Sequence, residues 1–220
     1  MKKIIAVIPV RKGSQRVKNK NFRKFYNKNL LVYKILTLKK VKYVDEIIVN
    51  TDSDKAISIA KNYGVSFFKR DNYFASSKCP NSDFWSNVAS TTNSKYILFT
   101  HCTNPLISVQ TYQKTLKKFF SLNKKRFNSL NTVSEVKDFL FLKNKPLNFN
   151  LNQAPNSQNL PDIIKYNSAI SILSTDYMKN NKTVIGDKPF FYKLDQFEGH
   201  DINTEYEFKF AEYLFKNFKD

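Results

Sequence analysis

Four short apolar runs, separated by stretches of helical periodicity, constrain this chain more than any other feature. Residues 4–10 (IIAVIPV), 46–51 (EIIVNT), 65–69 (VSFFK) and 96–100 (YILFT) have the length and continuity of strands buried on both faces. Between the first two, Leu30, Leu31, Tyr33, Ile35 and Leu38 recur near helical spacing, and Lys39 and Lys40 suit the last turn. Ser53 or Asp54 can cap a second helix through Ile57, Ile59 and Ala60, which Gly64 ends. Such alternation predicts an α/β fold with a Rossmann-like, doubly wound, mostly parallel sheet. A length of 220 residues supports one sizeable core, so residues 1–220 are expected to form a single domain.

The later segments are read in the same way. Ser82 and Asp83 can open a helix carrying Phe84, Trp85 and Val88, after a polar loop at 70–81. A helix over 108–122, strands at 130–136, 169–173 and 190–194, and an amphipathic helix over 204–218 follow. From 138 to 165 the pattern degrades into Asn, Gln and Pro with Phe139, Leu140, Phe141, Leu142, Leu147, Phe149 and Leu151 interspersed. An irregular stretch of this length in a compact domain is an arm or disorder, and the regular apolar residues favour an inserted arm that packs on a second subunit.

Ligands of open α/β sheets collect at the carboxyl ends of the strands. That rule directs residues 11–20, 52–54 and 101–104 to one edge. The first of these carries Arg11, Lys12, Gly13, Ser14, Gln15, Arg16, Lys18 and Lys20, with no acidic residue before Asp45. Small residues let backbone N–H groups approach phosphate oxygens while the cations neutralise them, so the loop reads as an anion site rather than a solvated basic turn.

The net charge of +19 arises from lysines scattered along the chain, with Arg restricted to positions 11, 16, 23, 70 and 126. Scattered lysine argues against a nucleic-acid groove, which needs clustered cations interleaved with aromatic residues, although the field still attracts an anionic substrate. Cys79 and Cys102 have neither metal-ligand nor disulfide spacing and suit reduced thiols. The first apolar run is too short to span a bilayer and has no signal-cleavage pattern. A cytoplasmic protein without membrane or nucleic-acid partners is expected.

With these segments placed, the chain resembles the CMP-sialic acid synthetases (acylneuraminate cytidylyltransferases) and, more distantly, their Kdo-activating relatives. The residues that carry the resemblance are Pro9 to Gln15 with Lys20 and Asn21, then Asn50 to Asp54, then Lys69, Arg70, Asp71, Phe74 and Ala75, then Ser82 and Asp83. Further along, His101 to Ile107, Ser157 to Pro161, Asn167 to Ile170 and Asp201 to Asn203 follow in the family's order. The resemblance implies transfer of CMP from CTP to an acidic sugar with release of pyrophosphate, for surface glycans such as capsule or lipopolysaccharide, by a homodimer joined through 138–165.

It also implies roles. Arg11, Gly13 and Ser14 would hold the β and γ phosphates, and Lys20 would stabilise charge at the α phosphorus. Asn21, Arg70, Ala75 and Ser82 would lie near ribose and cytosine. Asp201, with Asn203 where the family has a second aspartate, would hold Mg²⁺ or another divalent cation; taken alone, Asp201 reads equally as a helix N-terminal acid. Arg11, Lys20 and Asp201 form the implied catalytic set. His101, Thr103, Asn104, Gln158 and Asn167 would face the acceptor, His101 as a contact in preference to a general base, and His200 reads as a loop residue. Asp52 and Asp54 would order the strand end. The departures fall on the acceptor side: His101 replaces Gln, Ile107 and Ser157 replace Arg, and Ser168 replaces Gly. Losing two guanidinium groups removes bidentate carboxylate recognition, so an acceptor other than N-acetylneuraminate is expected, with Kdo or a phosphonate as alternatives. A nucleotide-binding homologue without transferase activity is the other reading.

Overall fold

The computed structural model describes residues 2–14 and 16–219; Gln15 of the basic loop lies outside the described residues. The chain runs β1 (Lys2–Val10), α1 (Leu30–Lys39), β2 (Glu46–Thr51), α2 (Asp54–Asn62) and β3 (Ser66–Lys69). Next come α3 (Asn72–Ala75), α4 (Asn81–Ser90), β4 (Ser94–Phe99), α5 (Val109–Ser121) and β5 (Ser129–Val136). A small hairpin of β6 (Phe141–Leu142) and β7 (Lys145–Pro146) leads through two short 3₁₀ turns into β8 (Ile163–Ser174). The chain closes with α6 (Thr175–Asn181), β9 (Pro189–Leu194) and α7 (Glu205–Phe218).

Seven strands form one sheet in the order β3-β2-β1-β4-β8-β5-β9. β1, β2, β3 and β4 are parallel, β9 is parallel to β5, and β8 is antiparallel to both its neighbours. Because successive strand side chains face opposite sides, β1 feeds two cores. Ile4, Ala6, Ile8 and Val10 pack with residues of α1, α2, α5 and α7, whereas Ile5 and Val7 pack with Val88, Ala89 and Met178 of α4 and α6. Each such fully buried Val, Leu or Ile contributes roughly 1.5–3 kcal/mol of transfer free energy. The doubly wound, mostly parallel expectation holds.

Local signals act as the sequence implies. Asn29, Ser53 and Ser108 cap α1, α2 and α5 through their side-chain oxygens. Gly64 takes φ +60 just past α2, a backbone conformation that suits glycine. Thr204 and Glu207 form a capping box on α7. Three readings are corrected. α4 begins at Asn81 after Pro80, so Ser82 sits inside its first turn rather than opening it. β8 extends back to Ile163, six residues before the expected strand, because its Asn167–Ser168 interruption, with Ser168 at φ +58, is absorbed within a continuing ladder against β5. The polar loop at 70–81 contains a helical turn, α3, capped by Asp71.

The segment ahead of β8 is ordered by its own contacts. Phe149 packs edge-on against Phe139 and Phe141, and Asn148 bonds the backbone of Leu140 and Asp138. Phe141, Leu142, Leu147 and Leu151 remain more than half exposed.

Candidate active site

The register sets the site. Val10 pairs with Thr51, Thr51 with Lys69, and Val7 with Phe99. Arg11, Asp52, Arg70 and His101 therefore leave adjacent strands at the same edge. They surround a cleft of about 530 Å³ whose wall includes Arg11, Ser14, Lys20, Asn21, Arg70, Ala75, His101 and Thr103. Arg16, one of the cations of the basic loop, and Phe74 also line it, as does Phe84, which the sequence places only on the following helix.

The basic loop is shaped from beneath. Gly13 adopts φ +77, a conformation strained for any residue with a Cβ. The Asp52 carboxylate accepts the Lys12 N–H at 2.8 Å and lies 3.8 Å from the Arg70 guanidinium. Asp52 thus orders the strand end, while Asp54 pairs with Lys69 on the surface. Arg70 is buried, donates to the Val10 carbonyl at 2.8 Å and lies 4.7 Å from the Phe84 ring centroid. Burial pulls its pKa down to about 10, against the opposing field of Asp52, so it stays cationic at neutral pH.

Among the described residues, Arg70 Nε and Asn21 Oδ1 are buried without a hydrogen-bond partner. Such groups cost free energy when left unpaired, roughly 1–3 kcal/mol each. One is a donor and the other an acceptor, and both residues line the cleft, which suits a planar ligand carrying complementary polar edges.

At the opposite wall Lys20 donates to the carbonyl of Ile202, whose own N–H donates to Thr103 O at 2.9 Å. Burial lowers the Lys20 pKa and the nearby Asp201 carboxylate opposes the shift. His101 stacks edge-on upon Phe99 at 5.1 Å. Its imidazole pKa is lowered, first by burial and then by Lys34 and Lys20 against the pull of Asp201, so the ring is neutral.

A second cavity of about 610 Å³ lies beyond that wall and includes Asn167, His200, Asp201 and Asn203, together with Lys165, Tyr166, Phe197 and Phe210. Asp201 Oδ2 accepts from Asn203 Nδ2 at 2.8 Å, while Asp201 Oδ1 is buried without a partner among the described residues. An unpaired carboxylate oxygen fits a Mg²⁺ that keeps waters and takes its remaining ligands from substrate phosphates. Among the described residues no group of three or more His, Cys, Asp or Glu could form an all-protein metal cage.

The remaining residues of the implied set fall elsewhere. Ser82 does not line the cleft; its neighbour Asn81 does. Asn104 is buried behind both cavities, where Nδ2 donates to Asn167 O at 3.2 Å and His200 O at 3.3 Å. Asn167 spends its amide on Thr132, Ser134 and the Ala169 N–H, so it shapes the second cavity rather than offering free polar groups. Gln158 is exposed on a 3₁₀ turn and lines neither cavity of the single chain. His200 places its ring near Glu207 O and against Phe210.

The chain is 27% identical over 231 residues to post-translational flagellin modification protein B of Campylobacter coli, covering 98% of this chain and 96% of that protein. It is 26% identical over 232 residues to a CMP-N,N'-diacetyllegionaminic acid synthase of Campylobacter jejuni, covering 97% and 95%. An N-acylneuraminate cytidylyltransferase of Escherichia coli is 28% identical over 224 residues, covering 95% of this chain and 51% of that one. A CMP-2-keto-3-deoxy-manno-octonic acid synthetase complexed with CTP shares the fold with a TM-score of 0.71 at 13% identity, covering 97% and 98% of the two chains. A cytidylyltransferase from Leptospira borgpetersenii superposes with a TM-score of 0.67 at 18% identity, covering 99% and 88%. Residues 5–160, which run from within β1 past β7 and hold the whole first cleft, match the cytidylyltransferase family, and the chain belongs to it.

Proposed function

We propose that this cytidylyltransferase transfers CMP from CTP to a hydroxyl of a nonulosonic acid of the diacetylated legionaminic or pseudaminic type. The observation that carries the reading is that Ile202, next to Asp201 of the second cavity, is tied by its carbonyl to Lys20 and by its N–H to Thr103, both of the first. The first presents Arg11, Ser14 and Lys20 to a triphosphate, and Asn21 and Arg70, whose Oδ1 and Nε are buried without partners, are assigned to the side of ribose and base. The second begins at Asp201 and receives the acceptor. The name of one full-length relative, a CMP-N,N'-diacetyllegionaminic acid synthase, and that of a pseudaminic acid cytidylyltransferase matched over 57% of this chain support this class of acid.

In the reaction, the acceptor hydroxyl oxygen attacks the α phosphorus and gives up its proton to solvent, a new P–O bond forms, and the bond to the β phosphate breaks as pyrophosphate leaves. The protein positions and neutralises; it forms no covalent intermediate. Lys20 stands where both substrates meet and balances charge on the α phosphate. Neutral His101 contacts the substrate from the cleft wall. Asp201 would hold Mg²⁺ through its unpaired oxygen, and the ion would supply charge neutralisation at the phosphates. Asn203 orients that carboxylate.

The apolar arm at 138–165 is proposed to pack against a second copy, since Phe141, Leu142, Leu147 and Leu151 form an exposed edge that a monomer leaves in water. Light scattering at working concentration is expected to show a dimer; a monomer overturns that part. The enzyme is placed in the cytoplasm, where CTP is made. Among the described residues no helix is long and apolar enough to cross a membrane.

Incubation with CTP, Mg²⁺ and a panel of legionaminic, pseudaminic, N-acetylneuraminic and Kdo acids and a phosphonate, read by pyrophosphate release, tests the whole. Turnover of a diacetylated nonulosonic acid is expected. Turnover of N-acetylneuraminate alone overturns the acceptor assignment, and CTP binding without release for any acid favours a nucleotide-binding homologue, to which Asn203 points.

A further inference from the structure

Beneath the wall between the two cavities lies a lysine. Lys34, on α1, is 4% exposed within the core that packs α1 and α5 on the sheet. A buried ammonium is costly unless its donors are satisfied, and a lysine in such a position shifts toward its neutral form. Lys34 Nζ donates to the Asn104 carbonyl at 2.9 Å and to the Tyr112 hydroxyl at 2.7 Å. The Tyr112 hydroxyl lies 2.7 Å from Thr100 Oγ1, which donates to Ala169 O at 2.7 Å. Hydrogen direction follows by elimination: Thr100 donates to Ala169, so Tyr112 donates to Thr100 and accepts from Lys34. Two donated bonds equal the two N–H groups of a neutral amine.

This chain of bonds joins α1, α5, the end of β4 and the kinked middle of β8. Asn104 carries it further, because its side chain bridges the Asn167 and His200 carbonyls. His200 precedes Asp201, and Ile202 is tied back to Thr103. The loop holding His101 and Thr103 in the first cavity and the turn holding Asp201 in the second are thus locked to one buried amine.

We infer that Lys34 is a positioning residue that sets the separation of the nucleotide and acceptor cavities through Asn104. The inference rests on the proposed assignment of those cavities for its kinetic consequence, and on the hydrogen bonds alone for its structural one. The groups around the amine are Tyr112 on α5, Cys102 and His101 after β4, Asp201 on the turn, and Lys219 after α7. Burial, aided by the Lys219 cation, lowers the Lys34 pKa to about 7, against the smaller opposing pull of Cys102 and Asp201.

The test is Lys34→Met, which keeps the length and apolar stem and removes the amine, so the core stays filled. Hydrogen exchange is the first readout: the Ile202 amide, held by Thr103 O, is expected to exchange at least tenfold faster in the variant, with β2 and β3 amides unchanged. Equal exchange at Ile202 overturns the inference whether or not any acid is turned over. Global acceleration at every strand overturns it too, since Lys34 would then support only stability. The second readout is kinetic. On an acid the wild type turns over, kcat is expected to fall about tenfold to a hundredfold, as small misplacements do, while KM for CTP changes less than twofold. Unchanged kcat overturns the inference. A wild type that releases no pyrophosphate overturns the functional reading instead and leaves the exchange result to decide.

Discussion

The Lys20 ammonium donates to the carbonyl of Ile202, 182 residues further along the chain. The bond joins the basic loop after β1 to the turn before α7 and places a cation beside Asp201. The turn is fastened from the other side by the Ile202 N–H on Thr103. Lys20→Met is expected to lower kcat by roughly 10²–10³, the cost of removing one preorganised charge-stabilising donor. KM for CTP should rise much less, because Arg11 and Arg70 still hold the nucleotide. Steady-state kinetics with varied CTP checks this; equal effects on kcat and on CTP affinity at saturating acceptor would contradict it.

Arg70 is buried with its guanidinium shared among Val10 O, Asp52 and the face of Phe84. A lysine cannot reproduce a planar group that stacks and bonds at once. Arg70→Lys is expected to weaken CTP binding at least tenfold, about 1.4 kcal/mol. Calorimetric titration of CTP measures it, and retained affinity would remove Arg70 from the nucleotide site.

Asn203 now donates to Asp201 Oδ2. Asn203→Asp replaces that donor with a second carboxylate, which repels Asp201 in the absence of metal and joins it in the presence of metal. The Mg²⁺ concentration for half-maximal rate should fall several-fold in Asn203→Asp and rise in Asp201→Asn. A Mg²⁺ titration in which neither changes would place the ion elsewhere.

Lys34 gives stability a pH dependence with a definite sign. Its folded pKa is about 7, below the ordinary 10.5, so between those values the unfolded chain binds more protons than the folded one. Stability from this group therefore rises as pH increases from about 7 toward 10.5 and is flat below 7. Lys20, Lys124 and Lys219 are shifted the same way, so the comparison must be between wild type and Lys34→Met. Urea unfolding at pH 7 and pH 9 should show the difference moving in favour of the wild type at the higher pH. A difference independent of pH would mean that the amine is charged throughout.

Particular residues show how much was legible beforehand. The apolar runs of β1, β2 and β4 and the Ser53 cap are local signals, since continuous apolar runs and short polar side chains at helix starts carry their meaning within a few residues. The cleft residues followed because a parallel sheet brings its strand ends to one edge. The full length of β8 was hidden by Asn167 and Ser168, whose polar side chains read as a break but are satisfied by Thr132, Ser134 and Tyr166 neighbours on the paired strand and its own. The resemblance makes Asn104 an acceptor contact, yet its buried amide ties the Asn167 and His200 carbonyls together. Nothing local distinguishes Lys34 from the many lysines around it in the sequence.

By itself, then, the sequence determined the layered α/β sheet, the basic loop after the first strand and the nucleotide edge, because these rest on periodicity, chain order and short-range capping. Only the tertiary structure decided that Lys20 meets Ile202, that Asp201 keeps one oxygen unpaired, and that Lys34 lies under the wall between the cavities. Those relationships join residues tens to hundreds of positions apart, and they exist because buried polar groups must find partners wherever the packed sheet and helices leave them.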